Sequence, residues 1–217
     1  MAPKYLILTF DDGPIADQGA PDGALETILQ ALRTHEAKAV FYAIGQEVAA
    51  RPDLARRIVE EGHLIQNHSW DHPSLPTHSR EAIRKQLADT QHAIQEATGV
   101  TPDRLRPPFG TGFVGPKSPA LAEVANELGL RLTGWDVDTN DWRKPRGLDG
   151  AKIAPPMPQW EALYNTHQRP LDVLMHVNQA TARDLGGFIQ ALKSEGWQLT
   201  VYQSGAPGPT APSAGTS

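Results

Sequence analysis

Cysteine is absent from the 217 residues. Disulfides and thiolate metal ligands are therefore excluded, and any bound metal must be held by imidazole and carboxylate. Basic charge is in deficit too. Twenty Lys and Arg stand against 25 Asp and Glu, a net of −5 with His neutral, which argues against a polyanionic partner such as nucleic acid and leaves neutral or cationic polymers open. The composition, 39% hydrophobic and 21% charged, is that of an ordinary globular chain and excludes extensive disorder or membrane spanning. The chain opens "MAPK" and runs at once into a strand-like segment, with no secretory leader. The expected location is cytoplasmic, or secreted or cell-envelope if a leader has been removed.

The length suits one α/β domain, expected to act as a monomer. Amphipathic helices are predicted around Leu25, Ile28, Leu29 and Leu32; around Leu54, Ile58 and Val59; from a Ser79 cap to Gly99; from Ser118-Pro119 to Gly129; and from Thr181 to Gly196. Between them lie strand candidates at Tyr5–Phe10, Ala39–Ile44, His63–Gln66, Leu105 with its neighbours, Leu130–Val137, Val173–His176 and Gln198–Tyr202. Alternation of this kind predicts right-handed βαβ crossovers and a parallel sheet; an open doubly wound sheet and a closed barrel both satisfy it. The segment 205–217, rich in Pro, Gly, Ser and Thr, reads as a flexible linker or tail after a domain of residues 1–204. Segments 110–117 and 143–170 are irregular.

Polar residues collect just after the strand candidates. Asp11 and Asp12 end "LILTFDDGP", His68 and His72 stand in "NHSWDH", Arg106 opens "RPPFG", "DVDTNDW" follows the fifth candidate, and His176 closes "LDVLMH". In parallel α/β folds that end of the strands carries the active site. His68 and His72, four residues apart, can aim at one point. With one strand-end aspartate they make a site for Zn²⁺ or another divalent ion. A cation also explains the paired aspartates: one ligates, and the other stays ionised beside Arg106 and takes a proton from the attacking water. The plainer readings are a turn for "DDG" and a surface turn for an isolated His-x-x-x-His, but neither accounts for the other strand ends.

"TFDDGP", "NHSWDH", "RPPFG", "DTNDW" and "LMH", in this order, resemble the motif set of the polysaccharide deacetylases, the NodB-homology group of carbohydrate esterase family 4. The likeness runs from about Tyr5 to Tyr202. It implies a distorted (β/α) barrel and metal-dependent removal of N- or O-acetyl groups from a glycan. It also implies roles: Asp11 as base; Asp12, His68 and His72 as metal ligands; Arg106 pairing with Asp11; the Phe109 backbone N–H as oxyanion donor; Asp141 orienting His176, the acid; and Trp142 and Leu174 walling the acetyl pocket. The implied metal is Zn²⁺, with Co²⁺, Ni²⁺ or Mn²⁺ as alternatives. The implied substrate is an N-acetylglucosamine oligomer or polymer of chitin type. Acetylated xylan, or small non-peptide amides and cyclic ureides on the same fold, are the rivals, and a non-catalytic glycan-binding module would be expected to lack part of the set.

Two positions depart from the pattern. Val177-Asn178 follows His176 where many members carry an aspartate, and Phe109 replaces a common tyrosine. Trp160 reads as packing in preference to a sugar platform. His35, His63, His78, His92 and His167 read as surface or packing, and Asp138 as loop shaping. Asp17 and Asp22 either line the groove or solubilise its loop.

Overall fold

The computed structural model describes residues 3–14, 23–143, 147–148 and 157–202. Asp17, Asp22, the segment 205–217 and much of 143–170 lie outside the described residues. Eight parallel strands form one sheet: β1 (Lys4–Gly13), β2 (Ala39–Ala43), β3 (Leu64–Asn67), β4 (Arg104–Leu105), β5 (Arg131–Leu132), β6 (Val137–Asp138), β7 (Leu171–His176) and β8 (Trp197–Thr200). Helices α1 (Gly23–Thr34), α2 (Gly45–Ala50), α3 (Pro52–Glu60), α4 (Arg80–Thr98), α5 (Pro119–Glu127), α6 (Met157–His167) and α7 (Gln179–Ser194) separate them.

The strand order is β5-β4-β3-β2-β1-β7-β6, and β8 joins the first half of β1, on the edge that β2 takes from Leu8 onward. Chain length shows why this sheet cannot be flat. Seven strands side by side would separate β5 from β6 by about 29 Å, yet the link from Leu132 to Val137 reaches at most about 17 Å. The sheet therefore curls into a half-barrel, and residues 133–136 bridge its open side. Of the two architectures that alternation allowed, the distorted barrel is the one formed.

Strand alternation sorts the side chains. Leu6, Leu8 and Phe10 of β1, and Leu171, Val173 and Met175 of β7, join the helices in the main core, where Phe10 stacks on Phe41 at 5.1 Å. The opposite face of β1 carries Ile7, Thr9 and Asp11, and that of β7 carries Asp172, Leu174 and His176. Ile7 meets Val40, Tyr42 and Tyr202 in a small interior cluster.

Helix termini follow local chemistry. Ser79 caps α4 by accepting from Ala82 N, Gly99 closes it in the left-handed region, and Ser118 accepts from Leu121 N. Two expectations need correcting. The predicted strand Leu130–Val137 is two strands, β5 and β6. It breaks because Gly134 gives its carbonyl to Arg106, while Asp136 binds Arg169 and the Asp172 N–H. The last helix is capped by Asn178, which accepts from Thr181 N, and not by Thr181, whose hydroxyl serves Asp141 instead. Trp160 is buried edge-on against Phe188, and His63 is buried against Phe41, both as packing groups.

Phe41 is fully buried. Phe41→Ala should cost about 3–5 kcal/mol in urea unfolding, chiefly through a lower midpoint with little change in slope.

Candidate active site

Asp11 and Asp12 were expected just after a strand ending at Phe10; they belong to the strand itself, which runs to Gly13. Asp11 stands in register with His176 of β7. The pairing with β2 then slips between Phe10 and Gly13, and Asp12 adopts φ +65°. Asp tolerates this left-handed conformation better than most residues. The slip breaks strict alternation, which is how two successive side chains reach one cleft.

His68 follows β3 and is 2% exposed. Its Nδ1 lies 2.7 Å from the Arg106 carbonyl oxygen, so a proton sits there and Nε2 is the ring nitrogen turned toward Asp12. His72 has φ +58° and packs against the Phe109 ring at 4.7 Å. Burial is the main cause that pushes its imidazole below the ordinary value, toward the neutral form that ligates. Both Nε2 atoms lie 3.4 Å from Asp12 Oδ1. The ligand atoms of the three residues fall within 4.8 Å of one another.

A divalent cation fits these three residues. Asp12 Oδ1 is buried without a hydrogen-bond partner, and a cluster of acceptors converging at such distances is stabilised by positive charge among them. Two imidazoles and a carboxylate suit zinc and other first-row divalent ions.

Arg106 is fully buried. It donates through Nη1 to Asp11 Oδ1 at 2.8 Å and to Thr9 Oγ1 at 2.8 Å. Through Nη2 it donates to Asp172 Oδ1 at 2.7 Å and to the Gly134 carbonyl at 2.9 Å. The Tyr42 ring lies against the guanidinium at 4.1 Å. His176 rests on Asp141, which receives its Nδ1–H at 2.8 Å and its backbone N–H at 2.8 Å. Asn178 Nδ2 and the Thr181 hydroxyl also donate to Asp141. Nε2 of His176 is left for the cleft.

The cleft, of about 470 Å³, is lined by Asp11, Asp12, His68, His72 and His176, with Phe109, Trp142 and Leu174 among its walls. Every expected site residue with a side-chain role therefore lies in the cleft or, as Arg106 and Asp141 do, directly behind it. Asp138 shapes its loop, as expected, by accepting from Asn140 N. It also lines the cleft, and burial raises its carboxyl pKa.

Sequence reasoning missed four participants. Trp135 and Val114 line the cleft, but both stand in segments whose shape depends on tertiary contacts. Gly110, at φ +64°, lets the 110–117 turn close, because a Cβ there would sit 2.4 Å from the Val114 side chain and 2.8 Å from Trp135. Asp172 was the legible one: period two in "LDVLMH" puts it on the His176 face of β7.

For His176, burial favours the neutral ring, but the hydrogen bond and charge of Asp141, with Asp11 and Asp12 behind, outweigh it and raise the pKa to about 9. In metal-free protein the protonated ring should persist through neutral pH and titrate near 9. Asp141→Asn should move the titration down toward about 6.5, as read from the His176 ring-proton resonances.

The polysaccharide deacetylase family model matches residues 1–133. Peptidoglycan N-acetylglucosamine deacetylase PgdA of Listeria monocytogenes is 34% identical over 200 residues, which are 91% of this chain and 38% of that protein. The chain thus spans well under half the length of that relative. A family 4 carbohydrate esterase from Streptomyces lividans, in complex with acetate, superposes with a TM-score of 0.74 at 29% identity, covering 96% of this chain and 98% of the other. A family 4 acetyl xylan esterase from Clostridium thermocellum, in complex with a cobalt ion, gives a TM-score of 0.72 at 30% identity, over 91% and 88% of the two chains. The chain belongs to the polysaccharide deacetylase family, the NodB-homology group of carbohydrate esterase family 4.

Proposed function

We propose that this protein hydrolyses acetyl groups from the N-acetylglucosamine units of a glycan, chitin-type oligomers or polymers first, with a divalent cation held by Asp12, His68 and His72. The observation that carries the reading is the register of Asp11 with His176 beside that triad, which puts a carboxylate and an imidazole at one cleft. Membership of the family and similarity to proteins named for acetylated glycans support it.

When bound, the cation, zinc in this proposal, supplies Lewis acidity toward the acetyl carbonyl and acidity to the attacking water. Asp11, bonded through Oδ1 to Arg106, takes the water's proton. The Phe109 N–H stabilises the developing oxyanion. His176, kept protonated and oriented by Asp141, gives its Nε2 proton to the departing nitrogen. Amines leave poorly without a proton, so an acid that stays charged at neutral pH suits an amide substrate. Leu174 and Trp142, which line the cleft, flank the acetyl group in this reading. Phe109, Val114 and Trp142, the exposed large hydrophobic side chains among the described residues, all line this cleft. Apolar surface of that kind, set around a polar centre, suits the faces of sugar rings. Every residue invoked comes from one chain, so a monomer suffices. Residues 1–204 form the catalytic unit, and 205–217 serve as a linker or tail.

Acetate release should be measured on N-acetylglucosamine oligomers of increasing length, with acetylxylan and small cyclic amides in parallel. The expected result is release that a chelator abolishes and added Zn²⁺ restores, and that rises with oligomer length. Absence of release from the oligomers with any divalent metal overturns the chitin-type assignment. Asp11→Asn should lower kcat by about 10²–10⁴-fold while bound metal, counted by elemental analysis, stays at the parent level. His68→Ala should lose the metal.

A further inference from the structure

We propose that Asp172 is a positioning residue for Asp11: by holding the second arm of Arg106, it keeps one oxygen of Asp11 free to work. This rests on the reading of Asp11 as the base.

A guanidinium beside a carboxylate ordinarily closes on it with two parallel N–H···O bonds. Arg106 does not close on Asp11 in this way. Only Nη1 reaches Asp11, and only at Oδ1, at 2.8 Å. Nη2 is taken by Asp172 Oδ1 at 2.7 Å and by the Gly134 carbonyl. Asp11 Oδ2 therefore carries no guanidinium bond; it faces His68 Nε2 at 3.7 Å, beyond hydrogen-bonding range. That oxygen is the one available to a water in the cleft.

Asp172 is built to hold this arm. It is fully buried. Its Oδ1 also accepts from the Thr9 hydroxyl at 2.9 Å, and Thr9 in turn accepts from Arg106 Nη1. Its Oδ2 accepts from the Tyr202 hydroxyl, which itself accepts from Tyr42 at 3.2 Å. A single ion pair between Arg106 and Asp11 would need no second carboxylate in this interior, where each added charge is costly. A second carboxylate that splits the fork is the arrangement that prevents a two-pronged clamp on the base.

The test compares Asp172→Asn and Asp172→Ser with Tyr202→Phe. The tyrosine variant removes a partner of Asp172 Oδ2 and leaves the Arg106 contact in place. Without the Asp172 charge, Arg106 should turn both Nη groups onto Asp11. A crystal structure of Asp172→Asn would show this directly, with no need of activity. Acetate release should then lose roughly 10- to 100-fold in kcat, as expected for a misplaced reacting group, with KM and metal content unchanged. Tyr202→Phe should lose stability yet keep kcat within about twofold.

If Asp172→Asn retains the parent kcat, or Tyr202→Phe loses as much, the proposal is overturned. It is equally overturned if neither Asp172 variant folds, since the residue is then structural. If the parent releases no acetate from any substrate, the proposed function fails, while the crystal structure still decides whether Asp172 divides the fork.

Discussion

A guanidinium shut away from water must receive its counter-charges from the fold itself. Arg106 sits inside the half-barrel, and its partners come from far apart in the chain: Thr9 and Asp11 on β1, the Tyr42 ring on β2, Gly134 on the bridge across the barrel's open side, and Asp172 on β7. Removing one partner of such a buried pair costs about 3–5 kcal/mol. The curl of the sheet and the placement of Asp11 are thus one fact. In a flat sheet Arg106, which follows β4, would be three strands from Asp11 and four from Asp172.

The rest of the site is paid for in backbone strain. Asp12, Ser69, His72, Phe109 and Asn140 all have positive φ, and all lie at the carboxyl ends of strands or in the loops that follow them. Residues outside their preferred regions cost of order 1–3 kcal/mol each, less for Asp and Asn. The outer face of the sheet offsets this with a continuous apolar core from Leu6 to Trp197. Rigid packing outside and strain inside are complementary: the helices fix the strands, and the strands fix loops that would otherwise relax.

Much of this was legible because it is local. Ser79, Ser118, Gly99 and Gly129 mark helix ends through capping geometry that depends on a few neighbouring residues. The charged strand ends of β1, β3, β4 and β7 could be read because apolar strand bodies throw them into relief. What escaped depends on distant partners. The break between β5 and β6 follows from where Arg106 and Arg169 reach, which no window around Thr133 contains. Thr181 has the chemistry of a helix cap, but Asp141, forty residues away, claims its hydroxyl. Asp172 looked like one polar residue in an apolar strand, and its meaning lies in Arg106.

The pairing of β1 has a consequence for the order in which the molecule can be made. Leu6 stands in register with Leu171 on one side and Leu199 on the other, so the earliest strand of this sheet in the chain is central in it and waits for the two latest. Closing loops of that length before their contacts form is the slow part of folding for such topologies. Until β7 arrives, Arg106 has no Asp172 and β1 keeps an unpaired edge of the kind that invites association. Arrival of β7 is therefore the event that gives Arg106 its second carboxylate and sets His176 beside Asp11.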